Sequence, residues 1–250
     1  MKAFAIVACV ATCFGAASAA GAPGVRADIA AAVADKGRDA DRDADARRHP
    51  GDLIAFSGVK SGDKVVDLIP GSGYFTKIFA KVVGPKGHVY MIWPNEYAKE
   101  AQPDPVKNTE LAKTGYANTS VILQPGAAFA TPAPVDLVFT VQNYHDYPDK
   151  FMGKIDPMVL NRAVYKALKP GGVFLVVDHT AEAGSGLRDT DTLHRIDPAI
   201  VRKQVTDAGF VFDGESQVLR NPADDLKKLV FDKAIRGHTD QFIYKFRKPK

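Results

Sequence analysis

The sequence predicts an α/β fold, a mostly parallel sheet with helices on both of its faces, and three observations carry that expectation. Apolar runs of strand length alternate with segments of helical periodicity from about residue 52 onward. The first run, Val65-Val66-Asp67-Leu68-Ile69, gives way to Pro70-Gly71-Ser72-Gly73 and then to a helical pattern at Tyr74. That order is strand, tight turn, helix, and it offers a ligand close backbone approach and the free N–H groups of a new helix. Val135 to Val141 is almost wholly apolar, as a strand buried on both faces is.

The elements follow in order. Met1-Lys2, the apolar stretch Ala3 to Ala16 and the small residues Ala17-Ser18-Ala19 form a secretory signal peptide pattern, residues 1–19, with cleavage after Ala19. The protein is therefore expected to be exported, periplasmic or secreted. Both cysteines, Cys9 and Cys13, fall inside that segment, so a mature chain would have no disulfide and no thiol chemistry. Ile6-Val7-Ala8-Cys9 loosely matches a lipoprotein box, but its apolar stretch is short and simple cleavage ranks above it. No later run is long and apolar enough to span a membrane.

Residues 20–49 form an N-terminal helical segment. Val25 to Arg48 is rich in Ala, Asp and Arg, and Asp39, Asp41, Asp43 and Asp45 interleave with Arg38, Arg42, Arg47 and Arg48. Pairs three and four apart favour a solvated helix, with a lid over the site as the alternative. Residues 50–250 form the main domain. A short helix at Asp52–Ser57 leads into strand one, Lys64–Ile69, and the helix Tyr74–Val83 follows. Strand two is His88–Trp93, then helix over Asn95–Thr114 broken near Pro103, strand three at Ser120–Leu123, and strand four at Val135–Val141. A helix over Pro157–Leu168, a turn at Lys169-Pro170-Gly171-Gly172, and strand five at Val173–Asp178 come next. The last elements are a helix from the N-cap pair Asp197-Pro198 to Ala208, and strands at Phe210–Leu219 and Gln241–Phe246. A net charge of +4, from 33 basic and 29 acidic residues, is small and spread out. It argues for a mixed solvated surface and not for nucleic acid.

Four pieces in order resemble the class I S-adenosylmethionine-dependent methyltransferases: Asp67-x-x-x-Gly71-x-Gly73, Val135-Asp136-Leu137-Val138-Phe139, Leu168-Lys169-Pro170-Gly171-Gly172, and Ala208-Gly209-Phe210. The resemblance implies a Rossmann-like doubly wound seven-stranded sheet ending in an antiparallel hairpin. A narrower resemblance, to exported bacterial predicted methyltransferases, rests on the Arg/Asp segment before Pro50, on Val177-Asp178-His179, and on the stretch from Asn221-Pro222 through Gly237-His238-Thr239-Asp240-Gln241-Phe242.

The resemblance implies S-adenosylmethionine as cofactor. Gly71, Ser72 and Gly73 would face its methionine part, and Asp67 would approach its amino group directly or through water. A plain tight turn and a capping role for Asp67 are the bland alternatives. The family commonly has a third Gly where Ile69 stands. It also has an acid at the end of strand two, where this chain has Trp93, whose indole N–H donates only. Glu96, on the following helix, is a candidate to reach the ribose instead; Trp93 stacks on adenine or is a core residue. The loop after strand three, Gln124-Pro125-Gly126-Ala127-Ala128, lacks the family's usual Asp.

In this fold the segment after strand four borders the transferred methyl. Here it is Gln142-Asn143-Tyr144-His145-Asp146-Tyr147, which makes Asn143 a cofactor candidate and Tyr144 and His145 catalytic candidates. The alternative is a surface loop pair with a packing tyrosine. Asp178-His179, at the end of strand five, adds His179 to the catalytic candidates. His194 and Arg195 follow a Gly/Asp-rich loop and could close over the site. A metal site made of His145, His179 and His194 ranks low because their spacing matches no compact ligand motif, so no metal is expected. The expected activity is methyl transfer to a small-molecule acceptor. A binding or sensing protein that kept the fold is the alternative, and a dinucleotide-dependent oxidoreductase ranks last.

Overall fold

The computed structural model describes residues 25–250. The expected signal peptide and both cysteines lie outside the described residues. A seven-stranded sheet runs through the domain in the order β3-β2-β1-β4-β5-β7-β6. Its strands are β1 (Lys64–Leu68), β2 (His88–Pro94), β3 (Thr119–Gln124), β4 (Val135–Val141), β5 (Leu168–His179), β6 (Val211–Ser216) and β7 (Gln241–Arg247). The α-helices are α1 (Ala27–Val33), α2 (Asp45–Arg48), α3 (Pro50–Ser57), α4 (Tyr74–Val83), α5 (Asn95–Glu100), α6 (Asp104–Leu111), α7 (Pro157–Ala167), α8 (Thr190–Leu193) and α9 (Pro198–Asp207). The first five pair in parallel, while β7 is antiparallel to both β5 and β6. This is the seven-stranded, mostly parallel sheet with a C-terminal antiparallel pair that the sequence predicts.

Strand periodicity divides the core. Val65, Leu137 and Leu175 point to one face with Phe75, Ile78 and Phe79 of helix α4 (Tyr74–Val83). Val66, Val138 and Phe174 point to the other, with Leu160 and Val164 of α7 (Pro157–Ala167). Phe75 and Phe79 meet Phe139 edge-on at centroid distances of 4.9 and 5.3 Å. Burying each such side chain contributes about 1.5–3 kcal/mol. The helix over Asn95–Thr114 is indeed broken at Pro103, into Asn95–Glu100 and Asp104–Leu111.

Most element ends shift by a few residues, and three differences change how the chain runs. Strand β1 stops at Leu68 because Ile69 has φ +56° and leaves the sheet. The Lys169–Gly172 turn is absorbed into β5 as an irregularity, where the register to β4 shifts between Val135 and Leu137. The penultimate strand ends at Ser216 and gives way to a long loop over residues 217–240.

The charged N-terminal segment is not one solvated helix. Helix α1 (Ala27–Val33) ends, a 3₁₀ stretch spans Lys36–Ala44, and a single turn, α2, covers Asp45–Arg48. The break has a local cause: the Asp35 side chain accepts from the Gly37 N–H at 3.0 Å and from the Tyr116 hydroxyl at 3.0 Å. Arg38 is then drawn fully inside, where it donates to the Val33 carbonyl and, at 2.7 Å, to Asp45. Asp45 also accepts from the Tyr74 hydroxyl, and Lys77 pairs with Asp41 at 2.9 Å. The segment is a strap across the start of α4, and it brings Arg48 to the carboxyl edge of the sheet.

Candidate functional site

A cavity of about 560 Å³ opens at the carboxyl ends of β1, β2, β4 and β5. Open α/β sheets bind ligands at that edge. Its wall divides into a turn end, formed by Ile69 to Ser72 with Arg48 and Trp93, and a histidine end, formed by His145, Asp146, His179 and His194.

At the turn end Gly71 has φ +56°, and a side chain there would project into open space. Gly73 has φ +81° as the N-cap of α4, and a Cβ would lie 2.8 Å from Leu111 Cδ1. Gly71 and Ser72 therefore face the cavity, whereas Gly73 serves the packing behind it and is not in the wall. Asp67 shares the face of Val65 and lies beneath α4. It accepts from the Thr76 hydroxyl at 2.6 Å, and its other oxygen is buried without a partner. Burial pushes its pKa up to about 6. Asp67 is thus not a wall residue, because strand parity turns it into the core.

Trp93 is fully buried and donates its indole N–H to Asn108 Oδ1 at 2.9 Å, and Asn108 in turn donates to the Gly71 carbonyl at 3.1 Å. In place of a ribose-binding acid, the chain has a relay that holds the glycine turn. Glu96 does not reach the cavity: its carboxylate accepts from the Gly126 N–H at 2.9 Å and ties down the loop after β3. Glu100 and Asp104 line the cavity instead. Glu100 sits one turn beyond Glu96, where helix phase reaches it, whereas Asp104 opens a separate helix after the break at Pro103 and carries no such signal.

Asn143 lies between the two ends. Its amide donates to the carbonyls of Ile69 at 3.2 Å and Val141 at 2.6 Å, so it clamps the tips of β1 and β4 together. Two residues beside this clamp are left-handed: Ile69 at φ +56° and Gln142 at φ +62°. A β-branched residue in that region is strained, and such strain clusters at ligand sites. The left-handed turn at Ile69 explains why a glycine is common at that position in the family the sequence resembles.

At the histidine end, Asp178 accepts from the backbone N–H of His145 at 2.8 Å and of His179 at 2.7 Å, and binds His145 Nδ1 at 2.7 Å. His145 Nε2 lies 3.2 Å from Asp146 Oδ1 and 3.2 Å from His194 Nδ1. Burial opposes a charge on His145, but the carboxylates of Asp178 and Asp146 outweigh it and raise its pKa well above the usual value. His179 lies apart, bonded to the Thr239 hydroxyl at 2.7 Å, and burial lowers its pKa to about 3. It is neutral at every ordinary pH.

Tyr144 is not at the cavity. Its hydroxyl is buried between Asn161 at 2.8 Å and Gln204 at 3.1 Å. The 3₁₀ turn at Tyr144–Asp146 sends Tyr144 into the core and His145 toward the cavity. Arg195 does not close over the site either; it is paired internally with Asp224. The sequence signal for Asp146 and Asp178 was their place beside histidines at strand ends. Arg48 carried no signal of its own among the neighbouring arginines.

Residues 50–158 match the model of the protein-L-isoaspartate (D-aspartate) O-methyltransferase family. A ubiquinone/menaquinone biosynthesis C-methyltransferase of Saccharophagus degradans is 27% identical over 195 residues, covering 75% of this chain and 66% of that protein. A protein-L-isoaspartate O-methyltransferase of Ignicoccus hospitalis is 29% identical over 126 residues, covering 50% of this chain and 51% of that protein. The chain thus spans between half and two thirds of these relatives' lengths. A SAM-dependent methyltransferase from Aquifex aeolicus superposes with a TM-score of 0.56 at 19% identity, over 89% of this chain and 99% of that one. The structural likeness establishes the class I methyltransferase fold. Together the likenesses support the class I S-adenosylmethionine-dependent methyltransferase superfamily, and they imply S-adenosylmethionine as cofactor.

Proposed function

We propose that the chain transfers a methyl group from S-adenosylmethionine to a small-molecule acceptor. The observation that carries this reading is the two-ended cavity: a glycine turn at one end and a cluster of buried lone-pair donors at the other, on one sheet edge. The turn end fits the cofactor. Gly71 leaves open space where a side chain would stand, Glu100 and Asp104 offer acceptors for ribose hydroxyls, and the Trp93–Asn108 relay fixes the turn. The bound cofactor supplies an electrophilic sulfonium methyl. The residues of this chain align the acceptor with it. Asp178 holds the His145 ring by Nδ1, so Nε2 faces the acceptor side, and the aromatic rings of Tyr97, Phe151 and Phe231 in the wall exclude water.

The leader pattern of residues 1–19 supports an exported protein acting in the periplasm or outside the cell. The reading is tested by calorimetric titration of the purified chain with S-adenosylmethionine and S-adenosylhomocysteine. Binding in the micromolar range, with isotope transfer from methyl-labelled cofactor to a small-molecule extract, is the expected outcome. No binding at millimolar concentration would remove the enzyme. Binding without transfer to any acceptor would instead favour a sensing protein that kept the fold, the reading to which the loss of an acid at Trp93 points.

A further inference from the structure

Three lone-pair atoms at the histidine end converge on one point at separations at or beyond the long end of ordinary hydrogen bonds. His145 Nε2, Asp146 Oδ1 and His194 Nδ1 are separated by 3.2, 3.2 and 3.5 Å. Four ligands at zinc's usual 2.0–2.1 Å stand at the corners of a tetrahedron with edges of about 3.3–3.4 Å. We propose that these three atoms form a divalent metal site of the zinc type, with its fourth position open to the cavity.

The second observation is how His145 is held. Asp178 has both oxygens committed to backbone N–H groups, one from His145 and one from His179, so it is an acceptor for the His145 Nδ1–H. That bond fixes the tautomer with the lone pair on Nε2. A carboxylate behind a histidine, orienting the ring and raising its basicity, is the usual support of a metal ligand. His194 and Asp146 both aim at that one nitrogen. A single proton there serves one of them, whereas a cation serves all three. His194 reaches its place through a left-handed backbone, φ +52°, directly after the short helix Thr190–Leu193. Asp149 adds a further buried carboxyl close by, with neither oxygen hydrogen-bonded.

The ligand set is two imidazoles and a carboxylate, with one open position on the cavity side. That is a catalytic and not a structural pattern. An oxygen, nitrogen or sulfur atom of the acceptor is the group that would complete it. This acceptor role rests on the methyltransferase reading; the metal site does not.

The full chain, stripped with a chelator, is titrated calorimetrically with Zn²⁺ alone and followed with Co²⁺ by visible absorption. One ion per chain and a tetrahedral Co²⁺ spectrum are expected. His194→Asn, chosen because Asn tolerates the left-handed backbone, should weaken Zn²⁺ binding at least 100-fold and erase the Co²⁺ band. Asp146→Asn provides a second, independent loss. Absence of a stoichiometric ion, or unchanged affinity in His194→Asn, overturns the site. S-adenosylhomocysteine is titrated into the same preparations. Its binding by a chain that takes no metal sinks the metal site and keeps the methyltransferase reading. Metal binding with no S-adenosylhomocysteine binding does the reverse.

Discussion

Arg195 and Asp224 meet in a two-pronged ion pair, at 2.8 and 3.1 Å, with both side chains fully buried. Arg195 also donates to the carbonyls of Thr180 and Lys228. It thereby fastens the loop between β6 and β7 to the end of β5, beside His194. That loop supplies Val230 and Phe231 to the cavity wall. Removing one partner of such a pair strands a buried charge. Arg195→Ala should therefore lower unfolding stability by about 3–5 kcal/mol in denaturant titration. The double variant Arg195→Ala/Asp224→Ala should lose less than the sum of the single losses. Strict additivity would mean the pair is not coupled.

Ile69 gives an inverted ranking of small substitutions. Its side chain is buried, so truncation to Ala should cost about 2–4 kcal/mol. Elsewhere Gly is worse than Ala by a further 0.5–1 kcal/mol or so. Here φ is +56°, and Gly alone escapes the left-handed strain. Ile69→Gly should be at least as stable as Ile69→Ala by thermal unfolding; a clearly less stable Gly variant would show that the turn is unstrained.

Gly71→Val should abolish S-adenosylhomocysteine binding while unfolding stays cooperative, with a stability loss of about 1–3 kcal/mol from the left-handed backbone at φ +56°, because the side chain would enter the cavity and not the core. Unchanged affinity would remove the turn from the site. Trp93→Phe is the companion test. It keeps the ring and deletes the N–H that binds Asn108, leaving a buried amide oxygen unpaired at a cost of about 1–3 kcal/mol. S-adenosylhomocysteine affinity should fall with it if the relay to Gly71 matters.

Asp67 sets a pH dependence. Its folded pKa, about 6, lies above its ordinary value because burial disfavours the charge. Between about pH 4 and 6 the folded chain holds a proton the unfolded chain has released. The contribution of this group is therefore fully present below about pH 4 and is lost as pH rises through about 6, a change of about 3 kcal/mol. Asp67→Asn should be more stable than the parent at pH 8 and show little advantage at pH 4. A constant difference across that range would mean Asp67 ionises normally.

The sheet and its order were legible because each strand and helix carries its own period, and the parity of Val65, Val66 and Asp67 already encodes which faces they take. What the sequence concealed were directions set by single backbone angles. The 3₁₀ turn decides that His145 faces the cavity and Tyr144 does not. The break at Asp35 converts a charged helix into a strap that delivers Arg48. The convergence of His145, Asp146 and His194 is invisible in spacing because 48 positions separate Asp146 from His194 along the chain. Only the short connection of β5 to the helix at Thr190–Leu193 folds them together.

The amide of Asn143 spans the tips of β1 and β4, and those tips carry the two different ends of the cavity. Neither tip can shift without straining the other's carbonyl. The glycine turn and the segment that carries His145 are thus fastened at one amide. Two molecules that never touch the same residue would share this one side chain as a common support, and any coupling through it would change both affinities by the same factor, whichever arrives first.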